Sequence, residues 1–405
     1  MRVAVDARSL DAPAGSTLRQ ARGISRHALG VLQGLVDGHP EDEWHLVTAA
    51  RGTADGAPPV TGPSVHWHRR RLPSQLAYGA QAVGRGRMDR MLPERPDVAW
   101  LPAPAPVALS AGVPYVLTVH DLSFEQRPGD FTAYERVWQR AARPRELARG
   151  AAAVLAVSDA TAAEVAERWQ IAPEVVTVVR PGLAAPSRPS DEEIAETTAR
   201  HGLAGPYVLF VGALEPRKGL EVLTRAWGTV CQERGVAAGG QAHGEAAYGA
   251  GARGELAQLA VVGQGRLSGD LAGPGVRLLG RVPEAELWRL YAGARLLVLP
   301  SLLEGFGFPP LEAAALGTPS VLSDLPALRE VLGPDGARWV PPGDIAALAV
   351  ALSDLLGDAS RRRAIATVAK AAVAQLDSRH AAETVHTALH RAASQRRDPR
   401  KPTSP

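Results

Sequence analysis

In the stretch "EGFGFPPLE" two carboxylates, Glu304 and Glu312, stand with seven residues between them around a glycine loop and a pair of prolines. Pro309 and Pro310 favour the opening turn of a helix, and the apolar run that follows continues it. Glu312 therefore belongs to the first turns of that helix, while Glu304 stays in the loop before it. A helix start gathers N–H groups without partners and the positive end of the dipole, which suits an anionic ligand. A ligand that is anionic in its middle and rich in hydroxyls at both ends would use both features, the amides for its charge and the glutamates for its hydroxyls.

Cations for such an anion stand earlier in the chain. The run "YVLFVG" is followed by Ala213, Leu214, Glu215, Pro216, Arg217, Lys218 and Gly219, and then by the helical pattern "LEVLTRAW". A cationic pair at a strand-to-helix turn, with Gly212 and Gly219 allowing close backbone approach, is built to grip phosphate. The plainer alternative is a solvated Arg-Lys pair at a helix start. The stretch "VVGQGRLSG" nearly forms a dinucleotide fingerprint, but its third glycine, Gly269, comes one position late and "DLAGPG" breaks a helix instead of opening one. Gly263 reads as a strand-end turn beside a nucleotide, or as a structural turn only.

In the first half, His120 and Asp121 follow the run "PYVLTV". A histidine there can act on a hydroxyl or a developing charge near neutral pH, unless it is a satisfied histidine under a loop. In "ARGISRHALGVLQGL", Gly23 precedes a helix with Arg26 and His27 in its opening turn, which makes either a second anion cradle or a simple glycine turn. Ser158, before "DATAAEVAERW", reads as an N-cap.

These residues need elements to hold them. Short apolar runs alternate with helical periodicity along most of the chain, the pattern of parallel sheets with helices on both faces. Strand candidates in the first half are "RVAVD", "WHLVTA", "DVAWL", "PYVLTVH", "AVLAVS" and "VVTVV". A second series runs "YVLFVG", "LAVVG", "VRLLG", "RLLVLP", "PSVLS" and "ARWV". A segment rich in Pro, Ser and charge near residues 181–205 separates the two series. The expected division is residues 1–183, residues 184–378, a helix over 379–395 that packs back on the first domain, and a disordered tail over 396–405. Ligands of open parallel sheets bind beyond the carboxyl ends of the strands, where the chemistry-bearing residues fall. The Gly/Ala-rich segment 233–255, with His243 and Tyr248, reads as a surface insertion.

Bulk properties narrow the function classes. The 405 residues, 45% of them apolar and 21% charged, carry a net charge of only +3, so a general nucleic-acid binder is not implied. The single Cys231 excludes an internal disulfide and reads as a core thiol, and no cysteine cluster exists for zinc or iron–sulfur. The opening "MRVAVDARSL" reads as a strand and not as a signal peptide, and no apolar run approaches the roughly 20 residues needed to span a bilayer. A cytoplasmic protein, peripheral at most to the inner face of a membrane, is the expectation.

Taken together, "LEPRKG", "LPSLLEGFGFPPLEAAALGTPSVLSD", "VHDLSF", "VAVDAR" and "GISRH" resemble the retaining glycosyltransferases of family 4 over nearly the whole chain. The resemblance implies the GT-B fold, an α/β architecture of two Rossmann-like domains whose parallel sheets face across a cleft. It also implies an acceptor-binding first domain and a nucleotide-sugar-binding second domain. Glu304 would then meet donor-sugar hydroxyls beside the backbone of Gly305, Phe306 and Gly307, and Glu312 would hold the ribose. Arg217 and Lys218 would neutralise the diphosphate, with Gly212 and Gly263 lining the nucleotide. His120 would reach the donor sugar from the opposite domain, and Gly23 and Arg26 would line the acceptor side. The implied reaction moves a sugar, with mannose from GDP-mannose as first guess, to a glycan or lipid-linked acceptor, with retention and with no metal or other cofactor. The chain departs from the family pattern at Ser25 and His27, and at Ala213 and Leu214, where some members carry a further phosphate-binding arginine.

Three other readings use some of the same residues. A glycosidase also needs two carboxylates, but on opposite sides of a scissile bond and without a phosphate-binding turn. A nucleotide-sugar epimerase of the same fold, or a catalytically silent partner subunit, would keep the nucleotide site. The basic segment 66–91, with Arg69, Arg70 and Arg71, either lies on an anionic membrane surface or forms a solvated arginine-rich helix face.

Overall fold

The computed structural model describes residues 1–9, 21–48, 60–69, 79, 81, 85–203, 205–234, 257–267, 271 and 273–395. Most of the glycine-rich insertion with His243 and Tyr248, Gly269, Arg70, Arg71 and the tail beyond 395 lie outside them. The chain forms two units, one of Met1–Gly182 with Leu376–Pro405 and one of Leu183–Gln375.

The first unit is built on a seven-stranded sheet of β1 (Arg2–Asp6), β2 (Glu43–Thr48), β3 (Val65–Arg69), β4 (Val98–Leu101), β5 (Tyr115–Val119), β6 (Ala153–Ala156) and β7 (Val176–Val178). The order is β3-β2-β1-β4-β5-β6-β7, and every pairing is parallel. The central strands are covered on both faces, which is why they read as continuous apolar runs and not as alternating ones. From β1 the chain winds outward to β3, then returns to β4 and winds the other way. That reversal opens a crevice beyond the carboxyl ends of β1 and β4.

β3 was not among the expected strands. It is an edge strand, "VHWHR", in which no residue is fully buried, and its polar composition hides it from an apolar pattern. The basic segment from His66 therefore opens as sheet edge and not as a helix face. Ser158 caps the helix Asp159–Trp169 by accepting from the Thr161 amide at 3.1 Å, as read from the sequence.

The last helix, Ser378–Gln395, completes the core of the first unit. Ala381, Val385, Leu389 and Ala392 are buried in the cluster that holds Leu32, Leu35, Trp44 and Trp100. It crosses the helix Ala21–Gly38 closely, since a Cβ on Gly34 would come within 2.8 Å of Ala382 Cβ. A polar clasp fixes the same crossing. Asp42 accepts from the Met1 amino group at 2.6 Å and pairs with His386 at 2.7 Å, and the His386 ring stacks on His39 at 3.4 Å between centroids. His39, Glu41, Asp42 and His386 are the group of metal-capable residues found among those described. The two rings are parallel within 4°, so their in-plane lone pairs run side by side and do not converge on one ion.

The second unit carries β8 (Tyr207–Val211), β9 (Gln258–Val262), β10 (Val276–Gly280), β11 (Leu296–Leu299), β12 (Ser320–Ser323) and β13 (Arg338–Val340). Its order is β10-β9-β8-β11-β12-β13, again wholly parallel, with the reversal between β8 and β11. Cys231 is a buried core thiol, and burial pushes its pKa up to about 11.

Leu389→Ala leaves a void between the terminal helix and the sheet, and it should lower the stability of the first unit by about 2–5 kcal/mol in urea denaturation. A loss below about 1 kcal/mol would show that the helix is not part of that core.

Candidate active site

In the second unit the two loops that leave β8 and β11 meet at the topological reversal. β8 ends at Val211, and the loop turns through the 3-10 segment Pro216–Lys218 into the helix Leu220–Glu233. Gly219 makes that turn at φ 68°, with the Pro300 carbonyl so near that a Cβ would lie 1.9 Å from its oxygen. Only glycine fits both the left-handed backbone and the contact. The Leu302 amide donates to the Arg217 carbonyl at 2.8 Å, which ties the second loop to the first.

This closeness brings Lys218 and Glu304 together. The Lys218 ammonium donates to Glu304 Oε1 at 2.6 Å, and the Ser301 hydroxyl donates to the same oxygen at 2.7 Å. Both side chains are mostly buried, at 11% and 6% exposure. Burial has the largest effect on Lys218 and lowers its pKa, while the adjacent Glu304 opposes that shift. Arg217 lies beside the pair and donates from Nε to Glu215 at 2.9 Å. Lys218 was assigned to phosphate and Glu304 to sugar as separate contacts, and the structure makes them one ion pair.

The glycine loop ends at Gly307, in left-handed conformation, and the helix Phe308–Ala315 follows with both prolines in its first turn. The Phe306 and Gly307 amides donate to no acceptor among the described residues, so they are available to an anion. Phe306 is buried and meets Phe308 edge-on at 5.5 Å. Glu312, one turn into the helix, is 2% exposed and accepts from the Tyr291 hydroxyl at 2.6 Å. The Glu312 carboxylate is therefore oriented from within the core.

The two nucleotide-side glycines are structural donors. The Gly212 amide donates to Val262 at 3.0 Å and the Gly263 amide to Gly280 at 2.8 Å. A Cβ on Gly263 would lie 1.8 Å from the Gly212 carbonyl. Neither glycine has an amide left for a ligand, and what they contribute is a floor without side chains.

In the first unit His120 sits just past β5, and its Nε2 is 2.8 Å from the Pro102 carbonyl at the end of β4. A carbonyl accepts only, so Nε2 carries the proton and Nδ1 is the acceptor of the neutral ring. Burial holds the His120 pKa below the ordinary range, against the pull of Pro102 and Asp121. His27 meets it edge-on at 5.5 Å, and neither of its ring nitrogens has a hydrogen-bond partner among the described residues. Burial first, and His120 second, drive its pKa down to about 3, so it is neutral at physiological pH. Gly23 is the third residue of the helix Ala21–Gly38 and does not precede it; the helix begins earlier than expected, and Arg26 and His27 fall in its second turn. Beyond β1, Arg8 forms a buried two-point pair with Asp6, at 2.6 and 2.7 Å, and donates to Gln81 at 2.8 Å.

Comparison with known proteins places this geometry. A family model described as glycosyl transferases group 1 matches residues 205–358, and one described as glycosyltransferase family 4 matches residues 21–185. The chain belongs to glycosyltransferase family 4. This glycosyltransferase is 30% identical over 249 residues to the O-antigen chain mannosyltransferase B of Escherichia coli, across 61% of the present chain and 62% of that protein. It is 37% identical over 177 residues to the phosphatidyl-myo-inositol mannosyltransferase of Mycobacterium leprae, across 41% and 42% of the two chains. The chain thus spans less than two thirds of the length of these relatives. Among solved structures it is similar to a sucrose-phosphate synthase from Thermosynechococcus elongatus, with a TM-score of 0.69 and 17% identity over 97% of this chain and 99% of that one. The fold is GT-B.

Ser301 and Tyr291 had no assigned role in the sequence, and His27 was named only as part of the helix start after Gly23. Ser301 lies two residues past the end of β11, a position that the carboxyl-end rule would have flagged. Tyr291, by contrast, reaches Glu312 from a separate helix, with no local sign. Lys218→Met strands a buried Glu304 carboxylate and should lower the stability of this unit by about 3–5 kcal/mol in urea. The double variant Lys218→Met with Glu304→Gln should recover most of that loss, and equal losses in the two would show that the pair is not coupled.

Proposed function

We propose that this family 4 glycosyltransferase moves a hexosyl group from a nucleoside-diphosphate sugar to a hydroxyl of a glycan or lipid-linked acceptor, with retention at the transferred carbon. The observation that carries the reading is the Lys218–Glu304 pair at the ends of β8 and β11, next to the Phe306 and Gly307 amides. A diphosphate offers oxygens to the ammonium, to Arg217 and to the amides, while Glu304 Oε2 is left to accept from a sugar hydroxyl.

In the proposed reaction the bond from the sugar's anomeric carbon to the diphosphate oxygen breaks, and the acceptor oxygen bonds to the same carbon on the same face. The acceptor proton passes to a departing phosphate oxygen. Charge grows on the diphosphate as the bond breaks, and fixed cations with helix-end amides lower the barrier without solvent having to reorganise. These groups do what a metal ion would do, so the proposal requires no metal or other cofactor. In the first unit, His120 Nδ1 is the acceptor offered to a sugar hydroxyl. Mannose is the first choice of sugar and GDP-mannose of donor, because the relatives reported above are described as mannosyltransferases. No described helix is long and apolar enough to cross a membrane. The proposal puts the chain in the cytoplasm, where it meets its acceptor at the inner membrane face.

Glu304→Gln keeps the size and the Ser301 contact but removes the charge that holds Lys218. The variant should still bind nucleoside diphosphate and lose transfer by about 100-fold or more, measured as sugar incorporated into acceptor. Near-normal turnover would contradict the role given to Glu304.

A further inference from the structure

The helix Ala133–Ala142 in the first unit carries its apolar side outside the core. Thr132 and Glu135 close a capping box at its start, so the helix is fixed in place. Tyr134, Val137 and Trp138 fall at i, i+3 and i+4, one stripe of a helix. Such a stripe ordinarily faces the protein interior. Here Tyr134 is 48% and Val137 60% exposed, and neither belongs to a core cluster. Beside the stripe stand Arg136, Arg140 and, at the helix end, Arg143, all exposed. Arg136 is spent on the Pro128 and Phe131 carbonyls, which leave its charge uncancelled, and neither Arg140 nor Arg143 pairs with a carboxylate among the described residues.

We propose that this helix is a docking surface for an anionic phospholipid bilayer. An aromatic ring with a polar end, a flanking aliphatic side chain and a border of cations match the boundary between acyl chains and charged headgroups. Long arginine side chains can place their charge among phosphates while the stripe enters the apolar edge. A second copy of the chain would meet the same patch with like charges, which argues against self-association there. Of the arginines singled out in the sequence, Arg69 ends the edge strand β3, an element distinct from this helix. The inference deepens the acceptor half of the proposed function. The assay below contains no sugar substrate, so its failure would leave the transferase reading standing.

The test is co-sedimentation of the full chain with phosphatidylcholine vesicles, with and without about a third phosphatidylglycerol, at low and high salt. The expected result is binding to the anionic vesicles that weakens with salt. Tyr134→Ser with Val137→Ser, and separately Arg140→Glu with Arg143→Glu, should each reduce it about tenfold or more while melting like the parent protein. Failure of the parent to bind, variants that bind as it does, or loss of binding only when Arg69–Arg71 are changed would overturn the assignment. So would concentration-dependent self-association that disappears with the Tyr134 and Val137 changes.

Discussion

The ion pair between Lys218 and Glu304 is possible only because two loops from neighbouring strands are brought within hydrogen-bond reach at the point where the sheet reverses its winding. Taking two charges out of water is costly, and the cost is offset here by a 2.6 Å contact and by the Ser301 hydroxyl on the shared oxygen. The rest of the second unit answers to that constraint. Gly219 lets the first loop pass under the Pro300 carbonyl, the Leu302 amide binds the first loop, and the prolines start a helix directly after the Phe306 and Gly307 amides, which donate to no described acceptor. An arriving diphosphate would then compete with Glu304 for a cation already held in position, and no long side chain would have to be ordered at that moment.

The first unit solves a different problem with the same winding. Its reversal lies between β1 and β4, and both strands end in groups held by polar contacts: the buried Asp6–Arg8 pair after one, and the Pro102 carbonyl that accepts from His120 Nε2 after the other. His120 is thereby kept in one tautomer. The neighbouring His27 stays neutral at physiological pH, so no positive charge develops against it. The terminal helix returns from the second unit to close the core behind this sheet, with its side chains packed against Trp44 and Trp100.

Much of this was legible in the sequence because the strands are buried on both faces. Runs such as "YVLFVG" and "RLLVLP" announce themselves, and the residues after them are the ones that carry the chemistry. Twelve strands were expected and thirteen are present among the described residues, the extra one being β3, whose half-exposed "VHWHR" shows no apolar run. What the linear order could not reveal is pairing across distance. Lys218 and Glu304 are 86 residues apart, and Tyr291 reaches Glu312 from another helix. The family resemblance placed each residue near a substrate, but it did not indicate that two of them neutralise each other. Gly23 was misplaced because glycine so often ends or precedes a helix that its position inside one is hard to see.

The most direct test of the central claim is the melting temperature of the purified chain in EDTA with UDP, GDP, ADP or dTDP and their common sugars, alongside the Lys218→Met variant. A ligand that binds the folded site raises that temperature. The account predicts a clear rise with one nucleotide family, without added metal, and loss of the rise in the variant. A folded protein that responds to none of them, or a variant that responds like the parent, would contradict it.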